Sequence, residues 1–224
     1  MFKISRENLG EFYKTLAAKM PLFLPIRKAG EVNFGYYEEG AEVDIDTLKS
    51  VKSPKGVFFP QSENMMRFRT EGKKLEIEDV RSERDPFVVF GVRACDYKAF
   101  SVLDNVFLQE PVDTYYKEKR EAAIIFTLAC GKPQQSCFCS VFGIDASQPM
   151  GDVTCWLDEK ALYLRANTEK GEKALSLVAN LTEKCDDKHV EELKGEIKKK
   201  LEKLPYKDLD LSRFKPENLN ELFN

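Results

Sequence analysis

Six cysteines stand in the 224-residue chain, and four of them are spaced to act together. Cys130, Cys137 and Cys139 fall within the ten-residue string CGKPQQSCFC, and Cys95 lies upstream in FGVRACDYKAF. Three thiols from one loop and a fourth from a neighbouring strand end supply the number that a zinc ion or an iron–sulfur cluster takes. The spacing C-x6-C-x-C has neither the paired C-x2-C knuckles of zinc ribbons nor the C-x2-C-x2-C-x3-C run of bacterial ferredoxins. Soft sulfur ligands suit both a [4Fe-4S] cluster and Zn2+. Zinc asks for a compact tetrahedron with Zn–S distances of about 2.3 Å, whereas a cubane takes its ligands from a wider ring, so the residues alone leave both open. Phe138, between two of the cysteines, is expected to turn away toward packing. Backbone N–H groups of the loop can donate to the sulfurs, with Gly131 and Gly143 allowing close approach. Arg93 and Lys132 either offset an anionic centre or are ordinary solvated charges. Cys155 sits in an alternating strand pattern and Cys185 in a charged connector, which makes them a small buried hydrophobe and an incidental surface thiol.

Other chemistries are poorly served. The one histidine, His189, lies among Glu and Lys and reads as a solvated helix residue. That argues against Ser-His-Asp triads, His-rich zinc sites and a Cys-His nucleophile pair. No G-x-G-x-x-G follows a strand and no G-x4-G-K-S/T occurs, so no recognised nucleotide motif is present. Tyr115 and Tyr116 read as packing residues of a crossover, with stacking on a partner's flavin the lesser alternative. Thirty-five basic against 38 acidic residues give a net charge of -3, without the basic excess of a dedicated nucleic-acid binder. No run approaches the roughly 20 apolar residues that span a bilayer, and MFKISRENLGEFYK lacks the apolar core of a signal peptide. The expected location is cytoplasmic, where six thiols stay reduced or bind metal rather than form a disulfide framework.

The elements that must position the thiols are legible in the middle of the chain. PFVVFGV and AAIIFTLA are continuous apolar runs of the kind found in buried strands. Between them DYKAFSVLDNVFL, capped by Asp96, carries Ala99, Phe100, Leu103, Val106 and Phe107 at helical period, and DTYYKEKRE forms a second helix. Strand, helix, helix, strand makes a parallel pair joined by a crossover, with Cys95 and Cys130 emerging at the same carboxyl edge. Upstream, Ser5 is expected to cap a helix carrying Leu9, Phe12, Tyr13, Leu16 and Ala17. LFLPIRK and VNFGYYEE read as strands, IDTLKS as a short helical piece, and SPKGVFFPQSENMMRF as a lead into a further strand or helix. Downstream, DVTCWLD and ALYLRAN form a hairpin, Thr168 caps TEKGEKALSLVANL, and Val190, Leu193, Ile197, Leu201 and Leu204 line one face of an amphipathic helix. The expected fold is α/β, α+β at its ends: a mixed sheet with a parallel βαβ core and flanking helices. Residues 1–204 form the domain. Residues 205–224 form a linker or docking tail in which Phe214, Leu219, Leu222 and Phe223 are spaced to dock on a neighbour.

FGVRACDYKAFSVLDNVFL, DTYYKEKRE-AAIIF, LAC, CFCSVFG and the upstream SPKGVFFPQSENMMRF, in this order, resemble the amino-terminal region of a family that unites the sulfhydrogenase beta subunit with the A-type subunit of anaerobic sulfite reductase. The resemblance runs from about residue 53 to about residue 171. It implies an iron–sulfur electron-transfer subunit of an anaerobic oxidoreductase, working between a flavoprotein and a catalytic subunit rather than as a stand-alone catalyst. The cysteines of the family's GVRPCD, N-C and CFC motifs fall on Cys95, Cys130, Cys137 and Cys139. Ala94 stands where the family often has proline. In the family a ferredoxin-like segment with two C-x2-C-x2-C-x3-C runs follows. Its absence before Asn224 implies a piece of a longer protein or a short relative that leaves those clusters to another subunit. A zinc- or cluster-stapled assembly module without redox turnover is the alternative.

Overall fold

The computed structural model describes residues 1–79, 85–215 and 218. Its elements run β1 (Phe2–Ser5), α1 (Leu9–Ala17), β2 (Leu22–Lys28), β3 (Glu31–Tyr36), α2 (Lys55–Phe58), β4 (Met66–Glu71), β5 (Lys74–Asp79), β6 (Phe87–Val92), α3 (Ala94–Phe107), α4 (Thr114–Ala122), β7 (Ala123–Leu128), β8 (Val153–Leu157), β9 (Ala161–Ala166), α5 (Glu169–Ser176), β10 (Glu183–Lys184) and α6 (Lys188–Leu201). The architecture is the mixed α/β one expected. An eight-stranded sheet has the order β10-β1-β9-β8-β7-β6-β2-β3. Its centre, β2, β6, β7 and β8, is parallel, and antiparallel strands flank it on both sides.

Every residue of β6 and of β7 is buried, which is why both read as unbroken apolar runs. Val88 and Phe90 of β6, with Phe126 of β7, face α1 and α5, where Phe12, Tyr13, Leu16 and Leu175 close the core. Phe87 and Val89 face the opposite side, against Phe58, Phe100 and Tyr116 of α2, α3 and α4. Fully burying each of these large side chains stabilises the fold by about 1.5–3 kcal/mol. Gly91 interrupts the alternation: it has φ +86° and marks a register shift between Phe90 and Val92. The bulge puts Val92 on the α3 side, so the chain leaves the strand aimed at the start of that helix.

Capping follows the sequence in part. Asp113 accepts from the Tyr116 amide at the start of α4, and Thr168 accepts from the Gly171 amide at the start of α5. Ser5 does not cap α1: it ends β1, makes no side-chain cap bond, and a short 3-10 turn separates it from the helix. Asp96 does not cap α3 either. Arg93 occupies the N-cap position, and Asp96 lies in the first turn, held by Ser53 at 2.9 Å and Lys55 at 3.2 Å. Val106, placed on the buried face by period, is 64% exposed. IDTLKS forms no helix. Tyr116 is buried and donates to Asp104 at 2.6 Å, while Tyr115 donates to the Met65 carbonyl at 2.8 Å.

The segment after α2 forms a two-stranded ribbon, β4–β5, that stands outside the main sheet and is exposed on both faces. The pairings Phe68 with Ile77 and Thr70 with Leu75 put the apolar side chains on one face. Arg67 with Glu78 and Arg69 with Glu76 put charges on the other. At the far end, α6 buries Val190 and Ile197 over Ala129 and Trp156. Phe214 of the tail is 63% exposed; Leu219, Leu222 and Phe223 lie outside the described residues. Among the described residues no helix is long and apolar enough to cross a membrane.

Gly171 is where α5 meets the turn before β8. A Cβ there would lie 2.1 Å from the Asp152 carbonyl oxygen, while a Cβ on Gly10 of α1 would meet nothing within 4 Å. Gly171→Ala is expected to cost about 1–3 kcal/mol by overpacking, and Gly10→Ala to be neutral or to gain up to about 1 kcal/mol. Denaturant unfolding of the two variants checks this.

Candidate metal centre

Cys95, Cys130, Cys137 and Cys139 line one cavity of about 240 Å³ at the carboxyl edge of the parallel strands. Cys95 follows β6 as the second residue of α3, and Cys130 follows β7 by one residue. The remaining pair comes from the loop beyond, with Cys139 opening a 3-10 turn (Cys139–Phe142) that Gly143 closes at φ +65°. The loop is folded back on the strand ends: the Cys130 amide donates to Ala146 O at 2.9 Å and the Ile144 amide to Cys139 O at 3.1 Å. Ala94, Cys130 and Ala146 pack together with Leu48, Ile144 and Leu201 as the apolar floor. Cys155 is fully buried in β8 and Cys185 is partly exposed; neither lines the cavity.

Backbone amides reach the sulfurs as expected. The Gln134 amide donates to Cys137 Sγ at 3.4 Å, and the Lys132 amide lies against the Cys130 thiol. Gly131 is not needed for close approach, since a Cβ there would meet nothing within 4 Å. Phe138 is not packed away: it is 49% exposed, with its ring 5.8 Å from that of Phe142, itself 55% exposed. The loop bearing Cys137 and Cys139 therefore lies at the surface. Lys132 is exposed and leans toward Asp46 at 3.8 Å, whereas Arg93 lines the cavity and donates to the carbonyls of Ala129, Ile45 and Thr47.

The thiols differ in acidity. A hydrogen bond from the Cys139 thiol pulls Cys95 down to about 7, aided by the amides of Asp96 and Cys95 itself and opposed by burial. These amides belong to the first turn of α3, whose free N–H groups favour an anion. Cys139, as the donor, is pushed well above the usual thiol range. Burial raises Cys130 to about 11, with the Arg93 charge working the other way.

The periodic reading missed the wall opposite the cysteines. Leu48, Lys49, Ser50 and Ser53 line it, and it is tied down by Lys49 Nζ to Ser136 Oγ at 2.8 Å and by the Lys52 amide to Asn33 Oδ1 at 2.6 Å. Such long-range polar bonds leave no period in the sequence. Another cavity, about 610 Å³, shares the Ala129–Gly131–Lys132 stretch and is lined by Trp156, Tyr163 and His189, but holds none of the four thiols. His189 is exposed, as expected, and its Nε2 pairs with Asp158 at 2.8 Å.

Four thiols are a donor set of the kind that soft metals take. All four line the same cavity, two from strand ends and two from one loop. Among the described residues no group of three or more His, Cys, Asp or Glu side chains is placed to hold a metal ion. No family model matches the sequence and no solved structure matches it. A curated protein does: Sulfhydrogenase 2 subunit beta of Pyrococcus furiosus is 28% identical over 151 residues. The chain is a distant homologue of that sulfhydrogenase beta subunit. The alignment takes in 67% of this chain and 43% of the sulfhydrogenase protein, so the chain spans less than half of its relative's length.

In metal-free, reduced protein, alkylation of Cys95 is expected to rise with pH through about 7 and level off above it, because the thiolate is the reacting form. Cys130 should still be gaining reactivity toward pH 11. Cys139→Ala removes the donor and should slow Cys95 alkylation at pH 7 by about tenfold. Mass spectrometry of timed iodoacetamide reactions reads both.

Proposed function

We propose that the chain is an iron–sulfur electron-transfer subunit or domain of a multisubunit oxidoreductase of the hydrogenase or sulfur-reductase type. Cys95, Cys130, Cys137 and Cys139 hold a [4Fe-4S] cluster in this reading, and the partners are a flavoprotein, a catalytic subunit and a ferredoxin-like segment or subunit. The observation that carries it is the single cavity lined by all four cysteines. The distant relationship to a protein whose name makes it a hydrogenase subunit supports the enzyme class. Bound there, the cluster would supply one-electron storage and release.

The protein's own part is to hold, insulate and expose. The strand ends fix Cys95 and Cys130, the loop brings Cys137 and Cys139, and the apolar floor of Ala94, Leu48 and Ala146 keeps water from one side. The exposed Phe138 and Phe142 leave the other side open to a partner. In this reading residues 1–204 form the working domain and residues 205–224 a linker or docking tail. The six free thiols fit a reducing, cytoplasmic setting.

Anaerobically prepared protein is expected to contain about four irons and four sulfides per chain, with visible absorption. Cys137→Ser and Cys139→Ser should each lose most of the iron. Cys185→Ser and Cys155→Ala should keep it; alanine is the better probe at Cys155, where a serine hydroxyl would be buried without a planned partner. About one zinc per chain and no visible band would favour the stapled assembly module instead. Equal iron loss in all four variants would point to misfolding and remove the support for a site.

A further inference from the structure

Arg93 is a part-buried cation with no carboxylate of its own. Its guanidinium donates to Ala129 O at 3.0 Å, Ile45 O at 2.8 Å and Thr47 O at 3.2 Å. These bonds satisfy its donors and bind the end of β7 to the segment before the cavity wall, but three carbonyls supply no counter-charge. The two carboxylates whose charge it feels most are engaged elsewhere. Asp96 pairs with Lys55 at 3.2 Å, and Asp44 pairs with Arg27. Among the described residues no carboxylate lies within ion-pair distance of Arg93. A charge partly withdrawn from water and left in that state is destabilised. The groups that remain to balance it are sulfur: Cys130 follows the carbonyl that Arg93 holds, Cys95 lies two residues along the chain, and the guanidinium lines the same cavity as all four thiols. Its charge already opposes the effect of burial on Cys130.

We propose that Arg93 is the built-in counter-charge of the four-cysteine centre: a positioning residue that clamps the strand-end loops by its hydrogen bonds and, by its part-buried positive charge, stabilises the anionic sulfur ligands and raises the reduction potential of the centre they hold. The second part rests on the iron–sulfur reading. Reduction adds a negative charge within the field of a fixed, part-buried cation, so the reduced form gains more from Arg93 than the oxidised form does. Lysine keeps the charge but not the planar fork that reaches three carbonyls. Glutamine keeps polarity and loses the charge.

The test compares the anaerobically loaded wild-type chain with Arg93→Lys and Arg93→Gln. In potentiometric titration followed by EPR, R93Q is expected to shift the reduced-to-oxidised ratio at fixed potential at least tenfold toward oxidised, about 59 mV for a one-electron couple, and R93K to restore most of the shift. An R93Q protein with full iron and an unchanged potential overturns the potential-setting role. The metal-free, reduced proteins give a second measurement that needs no cluster. Alkylation of Cys130 at pH 8 is expected to be several-fold slower in R93Q than in wild type and to recover in R93K. An unchanged rate in R93Q with native circular dichroism overturns the counter-charge itself. A wild-type chain that takes up no iron while R93Q still slows Cys130 alkylation would sink the iron–sulfur reading and leave the counter-charge standing.

Discussion

Parallel pairing of β6 with β7 is the constraint on which the rest of the arrangement depends. It is set by matched backbone bonds from Phe87 opposite Ala123 to Val92 opposite Thr127. Because the two strands run the same way, their last residues reach one edge of the sheet, and the residues that follow, Arg93 to Cys95 and Ala129 to Cys130, are neighbours there. Had the pair been antiparallel, the two cysteines would lie at opposite edges, and no rearrangement of the later loop could bring them together. Parallel pairing requires a long crossover, and α3 and α4 supply it while covering one face with Phe100 and Tyr116.

Within that frame Gly91 has an effect beyond its own turn. A side chain at this position would meet Pro25 of β2 at 3.2 Å and would have to adopt a left-handed backbone conformation. The bulge it permits turns Val92 toward α3, and the next residue is the N-cap of that helix. Arg93 is therefore directed inward by the strand's irregular end and held there by the carbonyls of Ala129, just past β7, and of the 45–47 segment. Strand pairing, bulge and part-buried cation form one sequence of causes that ends at the cysteine cavity.

How much of this the sequence disclosed follows from which interactions leave a pattern. Strands buried on both faces must be apolar throughout, so β6 and β7 were legible, and with them the common edge of Cys95 and Cys130. The Thr168 cap was legible in kind, because local side-chain to backbone bonds leave short-range signatures. β1 was not: FKIS is four residues long, and Ser5 before REN imitates a helix cap. Nor was the β4–β5 ribbon, where the alternation of Met66, Phe68, Leu75 and Ile77 with charges belongs to a pair of strands exposed on both faces. The wall from Leu48 to Ser53 was invisible for another reason. It is held by bonds to Asn33, Ser136 and Asp96, each distant in sequence. Arg93 could be read only as one of two candidate charges, since partial burial separates it from the exposed Lys132 and burial is a property of the fold.

The division of the cysteines between rigid and loop positions bears on how such a centre would be assembled. Cys95 and Cys130 are attached to two strands buried along their whole length, whereas Cys137 and Cys139 sit on a surface loop whose own bonds are mostly short turns, such as Cys137 N to Gln134 O and Val141 N to Phe138 O. Binding a metal group would thus order the loop half more than the strand half, and part of the binding free energy would appear as loop stability. Arg93 belongs to the rigid half. A counter-charge placed there would favour deprotonated sulfur while the ligands of such a centre are gathered. Lys200 of α6 holds Gly131 O at 2.9 Å, and Leu201 packs against the Cys130 floor. The last helix is therefore part of the cavity's support, and the chain leaves α6 beside the centre rather than across the sheet from it.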